Sequence, residues 1–442
     1  MKIALVAPAW HDPLWESEKE KSIFPPLNLI TLAALTPPEH EVTILDESLT
    51  NLDFEQKYDL VGISVMTALA PRAYEIADAF RSRGVPVVLG GMHPSTLPEE
   101  AKTHADAVVI GEAEGTWPRL LEDLKNGNLQ PYYRQEAPPT LENMAVPRRD
   151  LLNRSRYLVP DTVQTTRGCP FSCSFCTVSR FFGHQFRFRP VEEVVREVQA
   201  LEGEVIAFVD DNIVGHPGYA KRLFKALAPL KIKWFSQGSL NIARDEELLR
   251  LAAESGCIGL FIGFESLSPA NLQAIGKAVN RVEEYSAAIK KIHEHGIAIE
   301  GAFIFGFDED DESIFERTVK FAQDNRLEAA QFGILTPFPG TPLREQLERE
   351  GRIINNDWAE YTISKVVFQP KRMSPETLQK GFNWAWQEFY SLSSISRRLG
   401  LVKKHAPILW ALNLNIRKRF NHFMERLRQA GLSFSPSPLV RP

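Results

Sequence analysis

Residues 165–176 of the chain read Thr-Thr-Arg-Gly-Cys-Pro-Phe-Ser-Cys-Ser-Phe-Cys. This short stretch contains Cys169, Cys173 and Cys176, which are three of the four cysteines in 442 residues. Thiolates spaced this closely can converge on one metal centre. A zinc site built from four thiolates needs another ligand nearby, but the remaining cysteine, Cys257, lies far along the chain. Three cysteines can hold a 4Fe-4S cube and leave one iron open for another ligand.

The C-x3-C-x2-C spacing of this stretch resembles the signature of the radical S-adenosylmethionine (SAM) enzymes. The resemblance implies that the open iron of the cluster binds the amino and carboxylate groups of SAM. It also implies that the aromatic residue before the last cysteine, Phe175, lies near the adenine of SAM. The alternatives are a zinc loop and a chance group of cysteines.

The composition is that of a globular protein with more than one domain. A chain of 442 residues is too long for one ordinary core, so we expect two or three domains. Hydrophobic residues make up 44% of the chain and charged residues 24%, which are ordinary values for globular proteins. The formal net charge of -5 argues against nucleic acid as the main partner.

The termini and the cysteine usage favour the cytoplasm. The chain has no apolar run long enough for a transmembrane helix. Residues 1–6 lead straight into a strand pattern, and their apolar run is too short for a signal peptide. Four cysteines without such a leader indicate a reducing compartment rather than a disulfide framework. A thiolate-bound cluster needs the same compartment.

Residues 1–130 alternate short apolar runs with helical patterns. Each run is almost continuously apolar, as expected for parallel strands that are buried on both faces. The alternation predicts an α/β domain with an open, doubly wound parallel sheet of the flavodoxin or Rossmann type. The predicted strands cover residues 3–7, 41–45, 60–65, 86–89 and 107–110, and the predicted helices cover residues 27–35, 71–83, 95–102 and 115–126.

The carboxyl ends of these strands are distinctive, and ligands of doubly wound sheets bind there. The third, fourth and fifth strands end in Gly-Ile-Ser-Val-Met-Thr (62–67), Leu-Gly-Gly-Met-His-Pro (89–94) and Ile-Gly-Glu-Ala-Glu-Gly (110–115). Paired glycines let a ligand approach the backbone closely. Together with Pro-Pro-Leu-Asn-Leu (25–29), these runs resemble the cobalamin-binding domain that precedes many radical SAM barrels. The resemblance predicts cobalamin contacts by Ser64, Thr67, Gly90, Gly91, His93 and Glu112.

One motif of other cobalamin proteins is absent. The Asp-x-His-x-x-Gly sequence, which supplies a histidine ligand to cobalt, does not occur in the chain. Cobalamin-binding members of the radical SAM family commonly lack this ligand. His93 is the only histidine at a predicted ligand edge, and we favour pairing with the backbone over direct binding of cobalt. A degenerate sheet that only docks onto the next domain is the alternative for residues 1–130.

A second alternation of strands and helices begins after a polar, proline-interrupted segment. We interpret residues 131–160 as a linker and residues 161–345 as a partial barrel of six βα units, too few for the complete eight-stranded TIM barrel. In such barrels the chemistry lies at the carboxyl ends of the strands, and the cysteine stretch follows the first strand. The predicted barrel strands cover residues 162–166, 205–210, 233–237, 259–265, 298–305 and 330–336.

Polar residues also follow other barrel strands. Residues 210–212 read Asp-Asp-Asn, where the family often has Gly-Gly-Glu, and this variant resembles that of cobalamin-dependent members. A carboxylate there can accept hydrogen bonds from the ammonium of SAM, and helix capping is the alternative. Glu265 stands among apolar residues, so it needs a ligand or an arginine partner. The resemblance predicts SAM contacts, besides Phe175, by Asp210, Asp211, Ser236, Gln237 and Glu265. Arg187 and Arg189 face the cluster or a carboxylate in one interpretation and form surface salt bridges in the other.

Residues 346–442 lose the alternation and are predicted to form a mainly helical extension. Residues 381–390 are rich in aromatic side chains, which either cap the active site or pack as helical core. Residues 396–428 contain nine Lys or Arg and one acid, Glu425, around the apolar run 408–412. Such a stretch can lie peripherally on an anionic membrane, and a solvated basic face is the alternative.

The resemblance implies an enzyme with a 4Fe-4S cluster, SAM and cobalamin as cofactors. The first hypothesis is a methyltransferase, in which a 5′-deoxyadenosyl radical activates a carbon and methylcobalamin supplies the methyl group. The second keeps these cofactors for ring closure, oxidation or rearrangement, and the third is a metal-stabilised binding module. Hopanoid methylases and the anaerobic cyclase of chlorophyll synthesis have similar extensions. We therefore expect an apolar substrate (a terpenoid, lipid or tetrapyrrole) and a flavodoxin or ferredoxin as electron donor.

Overall fold

The computed structural model describes residues 1–9, 21–183, 185–277, 279–400, 402 and 406–429. These residues form an N-terminal doubly wound domain, a partial barrel and a helical C-terminal extension, which confirms the predicted fold class. None of the described helices is long and apolar enough to cross a membrane.

The N-terminal domain is built on six parallel strands in the order β2-β1-β3-β4-β5-β6. The strands are β1 (Lys2–Ala7), β2 (Glu41–Asp46), β3 (Leu60–Ser64), β4 (Val87–Gly90), β5 (Ala107–Ile110) and β6 (Tyr132–Arg134). The helices are α1 (Leu27–Ala34), α2 (Ala70–Arg81), α3 (Met92–Thr96), α4 (Pro98–Thr103) and α5 (Trp117–Lys125). The strand β6 was not predicted. It pairs with β5 and so extends the sheet into the segment that we interpreted as a linker.

Both faces of this sheet are covered by helices, which explains its continuous apolar runs. Residues 3–6 of β1 are fully buried, and they contact the two helix layers alternately. On the face covered by α1 and α5, the indole N–H of Trp117 donates to the hydroxyl of Thr36 at 2.9 Å. Glycine at position 62 lets these side chains pack closely, because a Cβ there would lie 3.0 Å from Leu5 and 3.4 Å from Trp117.

The second domain contains six parallel strands in the order β14-β13-β12-β11-β10-β7, and a separate antiparallel pair, β8 and β9. The strands are β7 (Thr162–Val163), β8 (Thr166–Arg167), β9 (Arg187–Phe188), β10 (Val205–Phe208), β11 (Lys233–Gly238), β12 (Cys257–Glu265), β13 (Ala298–Phe305) and β14 (Ala329–Ile334). The helices are α6 (Val178–Phe181), α7 (Val191–Gln199), α8 (Pro217–Leu227), α9 (Glu246–Glu254), α10 (Pro269–Ala274), α11 (Tyr285–Glu294), α12 (Ser313–Asp324) and α13 (Pro342–Arg349).

The first barrel strand, which we predicted as continuous over residues 162–166, is interrupted. The backbone N–H groups of Thr165 and Thr166 donate to the carboxylate of Asp210 instead of to a neighbouring strand. A side chain has thus replaced the sheet as the acceptor for these groups. The chain then turns away and forms β8, which leads into the cysteine loop.

The barrel strands present two different faces. On the outer face, Trp234, Phe264 and Phe303 are buried and form part of the core beneath the helices. Strand side chains alternate between faces, so the intervening residues point to the other side, which we call the barrel interior. The alternation is clear in β13, where every second residue is only half-buried.

The C-terminal extension packs against the outside of the barrel. It consists of α14 (Pro375–Phe389), α15 (Leu392–Leu399) and α16 (Ala406–Gln429). Trp386 donates from its indole N–H to the carbonyl of Phe332 in β14 at 3.1 Å, and the hydroxyl of Tyr390 donates to the carbonyl of Ala330 at 2.8 Å. The aromatic stretch 381–390 therefore packs as core, as one of our two interpretations held.

Only some of the basic residues in segment 396–428 are exposed. Arg398 is fully buried and donates hydrogen bonds to the carbonyls of Leu327, Glu328 and Phe389, so it is not available to a membrane. Lys403 and Lys404 lie outside the described residues, as does the side chain of Arg428. Three apolar residues of α16 are exposed: Ile408 (64%), Leu412 (42%) and Leu414 (42%).

Candidate active site

The three cysteines lie in the loop between β8 and α6. Two segments hold this loop through its backbone: Ser174 donates from its N–H to the carbonyl of Ile275, and its carbonyl accepts from the N–H of Leu343, both at 3.0 Å. Gly168 has a φ of +88°, and a Cβ there would lie 2.9 Å from the carbonyl oxygen of Gln185. The conformation of the loop therefore requires glycine at this position.

The thiols of Cys169, Cys173 and Cys176 are half-buried and interact electrostatically with one another. Burial raises the pKa of each thiol, and it raises the pKa of Cys173 to about 12. Such thiols stay protonated at neutral pH unless a positive charge compensates for burial. The iron ions of a bound cluster would supply that charge, because metal coordination deprotonates a thiol. The three residues therefore fit the ligand set of a 4Fe-4S cluster.

The arrangement does not favour a zinc site. In the described part of the chain, no three His, Cys, Asp or Glu side chains are grouped so that they could hold a metal ion. Ligands of a cube bind different irons, so they stand further apart than the ligands of one zinc ion.

Lys277 is a residue of this site that the sequence analysis missed. Its ammonium forms an ion pair with Glu265 at the end of β12, and only 12% of its side chain is exposed. Burial dominates the raised pKa values of Cys169 and Cys173, and Lys277 opposes this effect. The partner of Glu265 is thus a lysine and not the arginine that we considered. The residue before Lys277 gave a sign of this site in the sequence, because it is a glycine. Gly276 has a φ of +76°, and its backbone lies close to the carbonyl of Ser172.

Glu265 occupies an unusual backbone conformation. Its φ is +64°, in the left-handed region that residues other than glycine seldom adopt. The pairing of β12 with β13 shifts register between Gly263 and Glu265, so the carboxylate lies at an irregular strand end. Strained residues of this kind cluster at functional sites.

Asp210 has a structural role in the described structure. One of its oxygens accepts hydrogen bonds from the backbone N–H and the hydroxyl groups of Thr165 and Thr166. Burial raises the pKa of Asp210 to about 6. The residue thus organises the entry to the cysteine loop.

Asp211 and Asn212 each have a side-chain oxygen near the cysteines that accepts no hydrogen bond. Burial and then the charge of Asp210 raise the pKa of Asp211 to about 7, and the amide of Asn212 donates to the thiol of Cys169. The second oxygens of both aspartates and the amide oxygen of Asn212 are buried without a hydrogen-bond partner. Unpaired buried acceptors are costly, so this loop fits a cationic group such as the ammonium of SAM.

The remaining predicted SAM contacts do not all lie on the same face of the barrel sheet. Gln237 is exposed in the barrel interior, whereas Ser236 is buried on the outer face and its hydroxyl donates to the carbonyl of Gln237 at 3.4 Å. Phe175 is half-buried, and its ring centroid lies 6.5 Å from that of Phe307 at the end of β13. The structure therefore does not bring Ser236 together with the others.

The strand ends of the N-terminal domain offer a backbone-lined surface. The amide of Asn28 donates to the hydroxyl of Ser64 at 2.6 Å, and the N–H of Val65 donates to the carbonyl of Gly90 at 2.8 Å. Gly91 has a φ of +102°, and a Cβ there would lie 2.9 Å from the backbone of Val65. These contacts join the ends of β3 and β4 closely.

This surface has apolar and open parts that suit a large flat ligand. Met66 is 53% exposed directly after β3, although a methionine is normally buried. Thr67 is buried at the start of the turn that follows it. At the end of β5, a Cβ on Gly111 would meet nothing within 4 Å. A corrin ring would cover Met66 and could approach this glycine, so the residues fit cobalamin.

His93 is not placed to bind cobalt. It is fully buried, and its Nε2 lies 3.1 Å from the hydroxyl of Tyr74 and 3.0 Å from a carboxylate oxygen of Glu100. Burial lowers the pKa of the imidazole, which favours its neutral form. The favoured interpretation of His93 as a structural residue fits this position, but its partners are side chains rather than the backbone.

Glu112 is also not free to bind cobalamin. Only 6% of its side chain is exposed, and its two carboxylate oxygens pair with Arg167 and Arg187. Arg167 pairs in addition with Glu114. The sequence analysis missed Arg167, which lies two residues before the first cysteine. Arg187 faces a carboxylate, as one interpretation held, while Arg189 pairs with Glu197.

The two sets of strand ends face each other. Besides the ion pairs of Glu112, the hydroxyl of Thr177 donates to the sulfur of Met92 at 3.7 Å. Thr177 follows the last cysteine directly, and Met92 follows the paired glycines. The surface at the glycine turn and the cysteine loop are therefore neighbours in space.

Comparison with known proteins agrees with this architecture. The profile of the radical SAM superfamily matches residues 163–322, and that of the B12 binding domain matches residues 19–121. A solved structure of the radical SAM methyltransferase TsrM from Kitasatospora setae, with cobalamin and a 4Fe-4S cluster bound, has a TM-score of 0.71 at 18% identity. The alignment covers 98% of this chain and 100% of that chain, and at this identity it shows the shared fold.

The chain belongs to the radical SAM enzymes that carry a cobalamin-binding domain. It is an enzyme with a 4Fe-4S cluster, SAM and cobalamin as cofactors, so the hypothesis of a non-enzymatic metal-binding module is wrong. Within this family it is 35% identical to a bacteriochlorophyllide d C-12(1)-methyltransferase of Chlorobaculum tepidum, over 91% of this chain and 89% of that protein. It is 31% identical to a bacteriochlorophyllide d C-8(2)-methyltransferase of the same organism, over 87% and 89%.

Proposed function

We propose that the protein transfers a methyl group to an unactivated carbon of a tetrapyrrole. The observation that carries this proposal is the similarity to two bacteriochlorophyllide methyltransferases, which extends well beyond the residues matched by the two family profiles. The barrel interior supports it, since the half-buried rings of Phe235 and Phe261 offer apolar walls to a flat substrate.

The chain's own residues position the reactants. When bound, the cluster, SAM and cobalamin supply the radical that removes hydrogen and the methyl group that replaces it. Cys169, Cys173 and Cys176 would hold the cluster at the mouth of the barrel. Lys277 would pair with the carboxylate of SAM, and Asp211 would accept hydrogen bonds from its ammonium.

Further residues would shape the two cofactor surfaces. Phe175 would lie against the adenine, and Gln237 would reach SAM from the barrel interior. Ser64, Gly90 and Gly91 would line the slot for the nucleotide tail of cobalamin. The ion pairs of Glu112 keep this surface next to the cysteine loop.

Ring closure is the second candidate. An anaerobic magnesium-protoporphyrin IX monomethyl ester cyclase of Cereibacter sphaeroides is 25% identical to the chain, over 74% of this chain and 60% of that protein. The same two cofactor sites would serve this reaction. The mass of the product separates the candidates, because methylation adds one methylene group and ring closure adds none.

Two kinds of partner follow from the proposed chemistry and from the surface. A one-electron donor of the flavodoxin or ferredoxin type would reduce the cluster in the cytoplasm. An anionic membrane surface would hold the enzyme peripherally through α16, whose exposed Ile408, Leu412 and Leu414 precede the basic residues 417–419.

The decisive experiment is an anaerobic assay of the reconstituted enzyme with SAM, a reductant and bacteriochlorophyllide d. We expect 5′-deoxyadenosine and a pigment heavier by one methylene group, both measured by mass spectrometry. Cys173→Ala should abolish both products. Cys257→Ala, which changes a buried cysteine of β12 outside the loop, should retain them. Formation of 5′-deoxyadenosine without any change in the pigment would contradict the tetrapyrrole as substrate.

A further inference from the structure

A carboxyl group points into the barrel interior from the first half of β13. In the register of the sheet, Gln237 of β11 lies opposite Phe261 of β12, and Phe261 lies opposite Glu300 of β13. Phe208, the last residue of β10, pairs with Ser236. The row of Gln237, Phe261 and Glu300 therefore begins one residue beyond the end of β10 and reaches the start of β14, where Glu300 lies opposite Ala329.

The next row toward the cysteine loop adds a second amide. Gly263 of β12 lies opposite Ala302 of β13, which lies opposite Gln331 of β14. Gln331 is half-buried, like Glu300, and points to the same face. Two amides and one carboxyl group thus share this face of the sheet with Phe261, and the paired side chains of Glu265 and Lys277 lie over Gly263.

Glu300 differs from the other acids near the cofactors. Asp210, Glu112 and Glu265 each have partners that balance their charge or accept their hydrogen bonds. The side chain of Glu300 forms no hydrogen bond or ion pair with another residue in the described part of the chain. Burial raises the pKa of Glu300 to about 7. The carboxyl oxygens of Glu300 are not fully buried, so a ligand in the barrel interior can reach them.

We propose that Glu300 determines substrate specificity by donating a hydrogen bond to an uncharged oxygen, a carbonyl or hydroxyl, of the tetrapyrrole. This inference rests on the proposed function. The strand residues of the interior rows 237–261–300 and 263–302–331 include no Lys, Arg or His. The ammonium of Lys277 lies over Gly263 but is already paired with Glu265, so a substrate carboxylate would find no free counter-charge there. Gln237 and Gln331 can complete the hydrogen bonds of the same oxygen, because amides both donate and accept.

The test measures binding of bacteriochlorophyllide d to the cofactor-loaded enzyme without reductant, by titration of the absorbance and fluorescence of the pigment. Glu300→Ala should weaken binding at least tenfold. Glu300→Gln, which keeps a donor of the same shape, should remain within about threefold of the wild type. Glu316→Ala, on the exposed face of α12, is the matched control and should not change binding.

Each outcome has a distinct meaning. Formation of 5′-deoxyadenosine without substrate should be equal in all variants, which shows that the cofactor sites are intact. Unchanged affinity of Glu300→Ala overturns the inference while the proposed substrate stands. Equal loss in Glu300→Ala and Glu300→Gln also overturns it, because the group bound would then require a charged carboxylate. A wild-type enzyme that does not bind the pigment overturns the substrate class and this inference with it.

Discussion

Arg187, which follows the cysteine loop, forms an ion pair with Glu112 at the end of the fifth strand of the N-terminal domain. Arg167, which precedes the loop, pairs with the other oxygen of the same carboxylate. Glu112 of the cobalamin-binding domain thus forms ion pairs with residues on both sides of the loop that carries the cluster ligands. The contact joins the end of the fifth strand to the segment around the cysteine loop.

Glu112→Gln should destabilise the protein strongly. The substitution leaves two buried guanidinium groups without their shared counter-charge, and losing one partner of a buried ion pair costs about 3–5 kcal/mol. Thermal unfolding of the anaerobic protein measures the effect as a fall in Tm. Glu75→Gln is the control, because Glu75 pairs with Arg72 at an exposed site and should change Tm little. Equal Tm values for both variants would show that the domain contact carries no stability.

Lys277→Met should lower the affinity for SAM. The substitution removes the cation that faces Glu265 and the cysteines, and a hydrogen bond to a charged group contributes about 1.5–3 kcal/mol. Equilibrium dialysis of SAM against the reconstituted protein should therefore show a loss of roughly tenfold or more. Lys277→Arg should retain part of the affinity. The control Lys221→Met removes a lysine of α8 that pairs with Asp245 and Glu247 at the start of α9, and it should bind SAM like the wild type. Equal binding by Lys277→Met would refute the assignment.

Glu300→Gln should change how stability depends on pH. Burial raises the pKa of Glu300 from 4.5 to about 7, so between these values the native protein holds a proton that the unfolded chain releases. The free energy of unfolding of the wild type therefore falls as pH rises through this window, by at most about 3 kcal/mol. The glutamine variant lacks this dependence. Its Tm relative to the wild type should rise between pH 5 and pH 8, and a constant difference would mean that Glu300 is ionised throughout.

Ile408→Ser combined with Leu412→Ser should reduce binding to anionic membranes. Both side chains are exposed on α16, and burying them in the interface of a bilayer contributes favourable free energy. Flotation with phosphatidylglycerol vesicles should recover the wild-type protein but less of the double variant, and phosphatidylcholine vesicles should recover neither. Leu392→Ser, an exposed leucine of α15, is the control. A wild-type protein that stays unbound, or that forms a dimer lost in the double variant, would contradict the membrane contact.

Much of the architecture could be predicted from local patterns. The continuous apolar runs of the N-terminal sheet and the six barrel strands follow from burial on both faces and from the regular alternation of strands and helices. The prediction of one continuous strand over residues 162–166 was wrong, because the carboxylate of Asp210 accepts the backbone hydrogen bonds that a neighbouring strand would accept. The sequence pattern also did not predict β6, whose three residues are too few to give a periodic signal.

The sequence indicated candidate site residues best where they are adjacent in the chain. Asp211 and Asn212 keep free acceptors beside the cysteines, as a SAM contact requires. Ser236, by contrast, points to the outer face, and Glu112 is occupied by two arginines. A strand end in the sequence indicates an edge of the sheet, but it does not reveal which side chains are already paired.

The sequence by itself determined the cysteine spacing, the order of the two cofactor domains and the class of chemistry, because each depends on residues that are close along the chain. Only the tertiary structure decided that Lys277 faces the cysteines, that Glu112 joins two arginines, and that Glu300 stands unpaired level with Gln237. Those relationships depend on strand register and on the packing of distant segments, which are set by the free energy of the whole fold rather than by any local pattern.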